Sequence, residues 1–204
     1  MAKLAGRTDS IRLGYTTILD RLARLTSYAN SYEVETETDI NQRQNSLFVD
    51  DFIVFALNAR RFLTEVGYAK EAQKVEVPLV KFNIGEKPED IIVTTSRATV
   101  SAYRILNIAI HHKMLDVFRS KFDVYKLLIP RAASDDEIID FYVLHQDLTR
   151  QGLHPVLAIK SEESKIVVFQ LSVFLRIFSE NIFHPAVERC EERGLYLTSF
   201  FTES

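Results

Sequence analysis

The sequence predicts an α+β fold that is mainly an α-helical bundle, with a small β-hairpin near the C-terminus. Apolar residues recur at helical spacing through the first half of the chain, and two β-rich runs flank a short polar stretch in the second half. Only 6 Gly and 5 Pro occur, which argues against a linker-rich chain. The 204 residues suit a single domain, 1–204, with a helical core at 1–121 and an α/β portion at 122–204.

Two amphipathic helices are predicted first. From about Asp9 to Tyr32, apolar residues follow helical spacing and charged residues fall on the opposite side. From about Ser46 to Gly67, phenylalanines dominate the apolar face, and Gly67 suits the left-handed residue that commonly ends a helix. In the weaker pattern that follows, Pro78 restricts the chain to an edge strand or an extended loop.

A third helix is predicted from about Ser96 to Lys121. It is apolar around most of its circumference, so we expect it to be the central and most buried helix. Such a helix needs more cover than one neighbouring helix supplies. The sequence therefore predicts a homodimer whose isologous interface is formed largely by the second and third helices.

The C-terminal portion mixes strand and helix patterns. A capping-box pattern opens its first helix, and a polar turn at 161–164 joins the two strands of the hairpin. The predicted elements are, in order, a strand at 122–129, a helix at 134–150, the hairpin at 155–171, a helix at 172–183 that His184-Pro185 breaks, and a short helix that ends at Gly194.

Composition and charge exclude several classes of protein. The net charge is −3, from 25 basic and 28 acidic residues, which gives no support to a protein that coats long nucleic acid but leaves room for a small basic site. Cys190 is the single cysteine, so neither an internal disulfide nor a cysteine-based zinc site can form. The N-terminus lacks the apolar core of a signal peptide, and no apolar run is long enough to cross a bilayer. We therefore expect a cytoplasmic protein that does not enter a membrane.

Sequence motifs for cofactors and metals are missing. The chain has no glycine-rich phosphate loop and no nucleophile elbow. His111 and His112 are adjacent and would point about 100° apart on a helix, so they could not easily share one metal ion. We expect neither a cofactor nor a metal.

A polar stripe interrupts the apolar third helix. Arg104, Asn107 and His111 are spaced i, i+3 and i+7, which places them within an arc of roughly 60°. Arg97 and Ser101 extend the same face toward the start of the helix. A cation, an amide and an imidazole on one face could hold an anion and transfer a proton near neutral pH. Alternatively, the stripe is structural, and its members hydrogen-bond to polar groups of a neighbouring helix.

A second polar set lies on the predicted second helix. Asn58, Arg61 and Glu65 repeat the i, i+3, i+7 spacing and would meet the first stripe if the two helices pack antiparallel. The alternative is a solvated face with an internal Arg61–Glu65 ion pair, which contributes only ~0.3–0.5 kcal/mol. We favour the ion pair.

At Arg104, Asn107 and His111 the sequence resembles the HEPN superfamily. These proteins are small helical bundles whose signature is Arg, four to six residues, then His, often with a polar residue between. Here six residues separate Arg104 from His111, and Asn107 is the polar one. The segment 52–65 is similar to the other core helix of the family, and 155–178 to a β-hairpin that follows the bundle in some members.

The resemblance implies a metal-independent endoribonuclease that leaves 2′,3′-cyclic phosphate ends. His111 would transfer the proton, Arg104 would hold the phosphate, and Asn107 would orient the substrate or His111. In this family two copies of the signature commonly meet across a dimer, so RNA and a second copy are the implied partners. The family also contains non-catalytic members, which leaves open a HEPN-like protein-interaction or assembly module that binds a partner protein.

Overall fold

The computed structural model describes residues 2–30, 38–83, 92–118, 156–161 and 166–197. Its first two elements are long helices, α1 (Ala2–Asn30) and α2 (Thr38–Glu65). They run antiparallel: Tyr28 lies against Phe48 at one end of the pair, and Ser10 hydrogen-bonds to Glu65 at the other.

The end of α2 confirms the predicted role of Gly67. This glycine has a φ of 72°, in the left-handed region that side chains with a Cβ disfavour. Its N–H donates to the Thr64 carbonyl, and the N–H of Tyr68 donates to the Leu63 carbonyl. These two bonds form a Schellman motif, which satisfies carbonyl groups that the helix end would otherwise leave without donors.

Within the described ranges, five strands form one antiparallel sheet with the order β2-β1-β5-β4-β3. The strands are β1 (Glu76–Asn83), β2 (Ile92–Ser101), β3 (His112–Phe118), β4 (Val156–Ser161) and β5 (Ile166–Gln170). The remaining helices are α3 (Ala69–Ala72), α4 (Ala102–Ile110), α5 (Leu171–Phe178) and α6 (His184–Glu192), with a π-helical turn at Ser179–Phe183 between the last two. Among the described residues, no helix is long and apolar enough to cross a membrane.

The core lies between α2 and the segment formed by β5, α5 and the π turn. Eight phenylalanines with at most 1% exposure fill it. Phe55 and Phe178 meet edge to face with ring centroids 4.9 Å apart, and Phe52 lies 5.8 Å from Phe174. The eight are Phe48, Phe52, Phe55, Phe62, Phe169, Phe174, Phe178 and Phe183. Each large ring removes apolar surface from water, so this cluster is the main stabilising feature of the fold.

The predicted fold class, a mainly helical bundle with a small hairpin, is wrong. The predicted third helix is the main error: residues 96–101 belong to β2, α4 has only nine residues, and β3 begins at His112. β2 is rich in threonine and valine, whose branched side chains fit a pleated strand better than a helix. The apolar residues that suggested one buried helix are therefore divided between α4 and β3.

Pro78 also lies in a different setting from the one predicted. Its strand, β1, is not at an edge, because β2 pairs with it on one side and β5 joins on the other through Leu79 and Phe169. The register of β1 against β2 shifts between Pro78 and Val80. A bulge at this point lets an interior strand accommodate a residue that has no N–H to donate.

The two runs predicted to form a hairpin are β4 and β5, which pair antiparallel from Val156↔Gln170 to Lys160↔Ile166. They are interior strands of the sheet rather than a small appendage. Residues 156–159 are consecutively buried, which requires cover on both faces of β4. Most of the predicted turn, together with the predicted strand at 122–129 and helix at 134–150, lies outside the described residues.

His184-Pro185 does not break the last helical segment as predicted. The helical path continues through the π turn, where the N–H of His184 donates to the carbonyl of Ser179, five residues earlier. Pro185 lies at the start of α6. A proline at the start of a helix is tolerated because its missing N–H is not needed there. The wider turn before it reduces the steric clash between the proline ring and a carbonyl of the preceding turn.

Candidate functional site

Helix α4 is held at its start by a serine cap and along one side by apolar packing. Ser101, the last residue of β2, has an extended backbone, and its hydroxyl accepts the N–H of Arg104 at 3.2 Å. Four residues of the helix are buried: Ala102, Ile105, Leu106 and Ala109. This anchored side leaves the opposite side of a short, rigid helix available to a ligand.

The predicted stripe lies on that opposite side. Arg104 and His111 are exposed and Asn107 is partly buried. His111 is the C-cap residue of α4, and its backbone N–H donates to the carbonyl of Asn107 at 3.3 Å. Within the described residues, the side chains of Arg104 and His111 form no hydrogen bond or ion pair. Neither side chain therefore serves to satisfy polar groups of a neighbouring helix there.

Asn107 has an unsatisfied polar atom. Its Oδ1 is buried and has no hydrogen-bond partner in the described part of the chain. A buried acceptor without a donor costs free energy, so such atoms in folded proteins call for an explanation. A ligand donor between Arg104 and His111 would satisfy it once the Asn107 side chain turned toward the surface.

Arg97 and Ser101 do not continue the stripe as predicted. Both belong to β2, so they are not on successive turns of the helix that carries Arg104. Arg97 is exposed in the middle of the strand, whereas Ser101 is occupied as the helix cap. The helical projection that placed them on one face assumed a helix that starts at residue 96.

The segment 92–118 has a local excess of positive charge. It contains three basic residues, Arg97, Arg104 and Lys113, all exposed, and one acidic residue, Asp116. This contrasts with the net charge of −3 for the whole chain. Arg97 and Lys113 lie on β2 and β3, at opposite edges of the sheet, so Arg104 is the one basic residue of this segment that belongs to the α4 stripe.

The two adjacent histidines have different environments. His112 is partly buried in β3, and its Nδ1 lies 2.7 Å from the carbonyl oxygen of Ala109, to which it donates. His111 points to solvent. Of the two imidazoles, His111 is the exposed one, and within the described residues no hydrogen bond holds its ring.

The second polar set faces α1 instead of α4. Arg61 donates from Nε to Glu65 at 2.9 Å and from Nη2 to the hydroxyl of Ser10 at 2.7 Å. Ser10 in turn donates to Glu65 at 3.3 Å. Asn58 donates to the carbonyl of Val54 on its own helix. Asn58, Arg61 and Glu65 are thus engaged in local contacts, and these contacts do not join them to the α4 stripe.

Sequence reasoning missed a groove beside α1. Its walls carry Arg176, Glu180 and His184, which follow one another at intervals of four residues. That spacing was the available signal, but His184 precedes Pro185, and the sequence predicts a helix break at this pair. Among the described residues, no three His, Cys, Asp or Glu side chains cluster as metal ligands would.

Cys190 is buried in α6 with 4% exposure. Burial raises the pKa of its thiol, because a thiolate there would lose its hydration. The thiol is therefore poorly suited to act as a nucleophile.

Comparisons of the chain with protein-family models, with curated proteins and with solved structures find no match. The site must be interpreted from its own geometry.

Proposed function

We propose that this protein binds RNA at the exposed side of α4 and cleaves it without a metal ion. The observation that carries the proposal is that Arg104 and His111 are exposed and unpaired among the described residues, while the helix that carries them is anchored in the core. Surface cations of this kind hold phosphate groups, and an accessible imidazole transfers protons near neutral pH. The helical-bundle fold that the HEPN resemblance implies is not present, so the proposal rests on these side chains.

In the proposed reaction, His111 accepts the proton of a ribose 2′-hydroxyl, whose oxygen attacks the adjacent phosphorus. The bond from phosphorus to the 5′-oxygen breaks, leaving a 2′,3′-cyclic phosphate and, once protonated, a 5′-hydroxyl. Arg104 stabilises the added negative charge on the phosphate oxygens. The step of seven positions from Arg104 to the C-cap residue His111 corresponds to about 10 Å along the helix axis. The phosphate therefore lies between them, with the guanidinium extended toward the imidazole.

Asn107 occupies the position between these two groups. In the proposed reaction the side chain of Asn107 rotates, so that Oδ1, which is buried in the structure, reaches the surface and accepts a hydrogen bond from the attacking hydroxyl or from the protonated imidazole. This contact would also satisfy the buried oxygen that has no partner among the described residues.

A homodimer would complete the proposed site. Cleavage uses a base for the 2′-hydroxyl and an acid for the leaving oxygen, but α4 of one protomer offers a single freely accessible imidazole, because His112 is bound to Ala109. Two α4 helices meeting about a two-fold axis would supply both groups. The dimer interface predicted from the sequence included the second helix. The phenylalanine face of α2 is buried within the protomer, so the proposed interface does not use that face.

The test is an RNA cleavage assay in the presence of a chelator. Wild type should cleave some member of a panel of single-stranded and structured RNAs and leave cyclic phosphate ends. His111→Ala should lower the rate by roughly 10²–10⁴-fold, as expected for lost acid–base catalysis. Because His111 is exposed, the unfolding free energy of the His111→Ala variant should stay within about 0.5 kcal/mol of wild type. His184→Ala, another exposed histidine, is the matched control and should retain full activity. A well-folded wild type that cleaves none of the panel would overturn this proposal.

A second candidate function is a non-catalytic protein-interaction module. The observation that favours it is the edge strand β2, where Thr94, Thr95, Arg97, Ala98 and Thr99 are all exposed. In the described part of the chain, no strand pairs with its outer edge. An extended peptide from a partner protein could add to this edge through backbone hydrogen bonds. The module is supported if Thr94→Lys combined with Thr99→Lys, which places two charges on this exposed strand, abolishes capture of a partner without lowering the melting temperature, and if wild type cleaves no RNA.

A further inference from the structure

A groove separates the C-terminal part of α1 from α5 and the π turn. Its volume is about 360 Å³, which is enough for one small molecule. Leu22, Ala29 and Leu175 are buried residues that line it. They give the groove an apolar base against which a short hydrocarbon side chain could pack.

Opposite charges line the same wall of this groove without pairing. Arg176, Glu180 and His184 are exposed. Within the described residues none of the three forms a side-chain hydrogen bond or ion pair. An arginine and a glutamate four residues apart on a regular helix are close enough to pair. Since this pair does not form, the guanidinium of Arg176 and the carboxylate of Glu180 lie about one helical turn apart, each without a partner in the described part of the chain.

The π turn gives a structural reason for this arrangement. It begins at Ser179, between Arg176 and Glu180, and the N–H of His184 reaches back five residues to the Ser179 carbonyl. The wider turn displaces the side chains that follow it from the regular four-residue register. Such turns occur often at functional sites. The hydroxyls of Ser172 and Ser179 line the same groove and offer further donors and acceptors.

We propose that this groove binds a small zwitterionic molecule, an amino acid or dipeptide with an apolar side chain. The ligand carboxylate contacts the guanidinium of Arg176, which suits a planar two-oxygen anion. The ligand ammonium contacts the carboxylate of Glu180, and the apolar side chain packs on the base formed by Leu22 and Leu175. A helical rise of four positions places Arg176 and Glu180 about 6 Å apart along the axis. Both side chains are long enough to reach the ligand's carboxylate and ammonium, which lie closer to each other than that. The proposal is independent of RNA cleavage, because α4 does not line this groove.

The test measures binding of four probes to the wild-type protein by calorimetry. Leucine and glycyl-leucine carry both charges, whereas N-acetyl-leucine lacks the ammonium and leucinamide lacks the carboxylate. We expect one or both zwitterions to bind, and each singly charged analogue of leucine to bind roughly 10- to 100-fold more weakly than leucine if leucine is the ligand. Tighter binding of leucine would identify a free amino acid as the ligand, and tighter binding of glycyl-leucine a dipeptide.

Variants locate the binding site. Arg176→Gln and Glu180→Gln should each weaken zwitterion binding roughly 10- to 100-fold, because each removes one charged contact. Arg24→Gln and Glu188→Gln change exposed residues outside the groove and should bind as wild type does. Circular dichroism melts should show that all four variants are folded. The proposal is overturned if neither zwitterion binds at roughly millimolar concentration, or if both groove variants bind as tightly as the controls.

Discussion

The guanidinium of Arg21 on α1 donates a hydrogen bond to the carboxylate of Asp51 on α2. Asp51 is 7% exposed and is the only buried charged residue in the described part of the chain. The pair lies between the contacts at the two ends of the antiparallel helices, so it ties α1 to α2 along their length. A carboxylate buried in this way depends on its partner to offset the lost hydration.

Removing Arg21 should therefore destabilise the protein. We expect Arg21→Met to lower the unfolding free energy by roughly 1–3 kcal/mol, because Asp51 stays buried without its donor. Arg24→Met is the matched control: Arg24 pairs with Asp20, but both side chains are more than half exposed. Its effect should not exceed about 1 kcal/mol. Urea unfolding curves measure both, and equal effects would contradict a special role for the buried pair.

Ser101 should matter through its cap on α4. Ser101→Ala removes the acceptor for the N–H of Arg104 and should cost about 1 kcal/mol of stability. Ser101→Gly should cost only a few tenths of a kcal/mol, because glycine tolerates the cap position. Thermal melts of the two variants give the comparison. If alanine is as well tolerated as glycine, the hydroxyl does not cap the helix in solution.

Asn107 should show a conflict between stability and ligand binding. Asn107→Leu removes the buried Oδ1 that has no partner among the described residues, and we expect stability to rise by up to about 1 kcal/mol. The same change should weaken RNA binding or cleavage. Urea unfolding and the RNA assay are measured on one preparation. A large loss of stability in the leucine variant would show that Asn107 has a structural partner.

Cys190 should make the protein less stable at alkaline pH. Burial raises the pKa of its thiol in the folded state above the value in the unfolded chain. The contribution of the buried thiol to the unfolding free energy is therefore fully present below the pKa of the unfolded state. It is lost as the pH rises through the pKa of the folded state. Cys190→Ala should lack this part of the alkaline decline in stability. The unfolding free energy is measured against pH for both proteins, and the difference between the two curves gives the contribution of the thiol. A folded protein whose thiol reacts with Ellman's reagent as fast as it does in urea would contradict the burial.

Local sequence patterns were enough to predict α1, α2 and the end of α2 at Gly67. Long apolar periodicity and a glycine at a left-handed position act over a few neighbouring residues, so they can be recognised without knowing what packs against them. The same holds for β4 and β5, whose runs of β-branched and apolar residues flank a polar stretch of sequence. The polar residues Arg104, Asn107 and His111 were also recognised from their spacing, which α4 preserves.

Only the tertiary structure decided the rest. An apolar segment such as 96–118 can form one buried helix or a strand, helix and strand, and the choice depends on whether strands β1 and β4 are there to pair with its two strands. The position of Pro78 in an interior strand likewise depends on the pairing of β1 with β5. The Arg21–Asp51 pair and the groove beside Arg176 join elements 30 or more residues apart. Local propensity carries no information about such contacts, because their free energy arises only when the chain has folded.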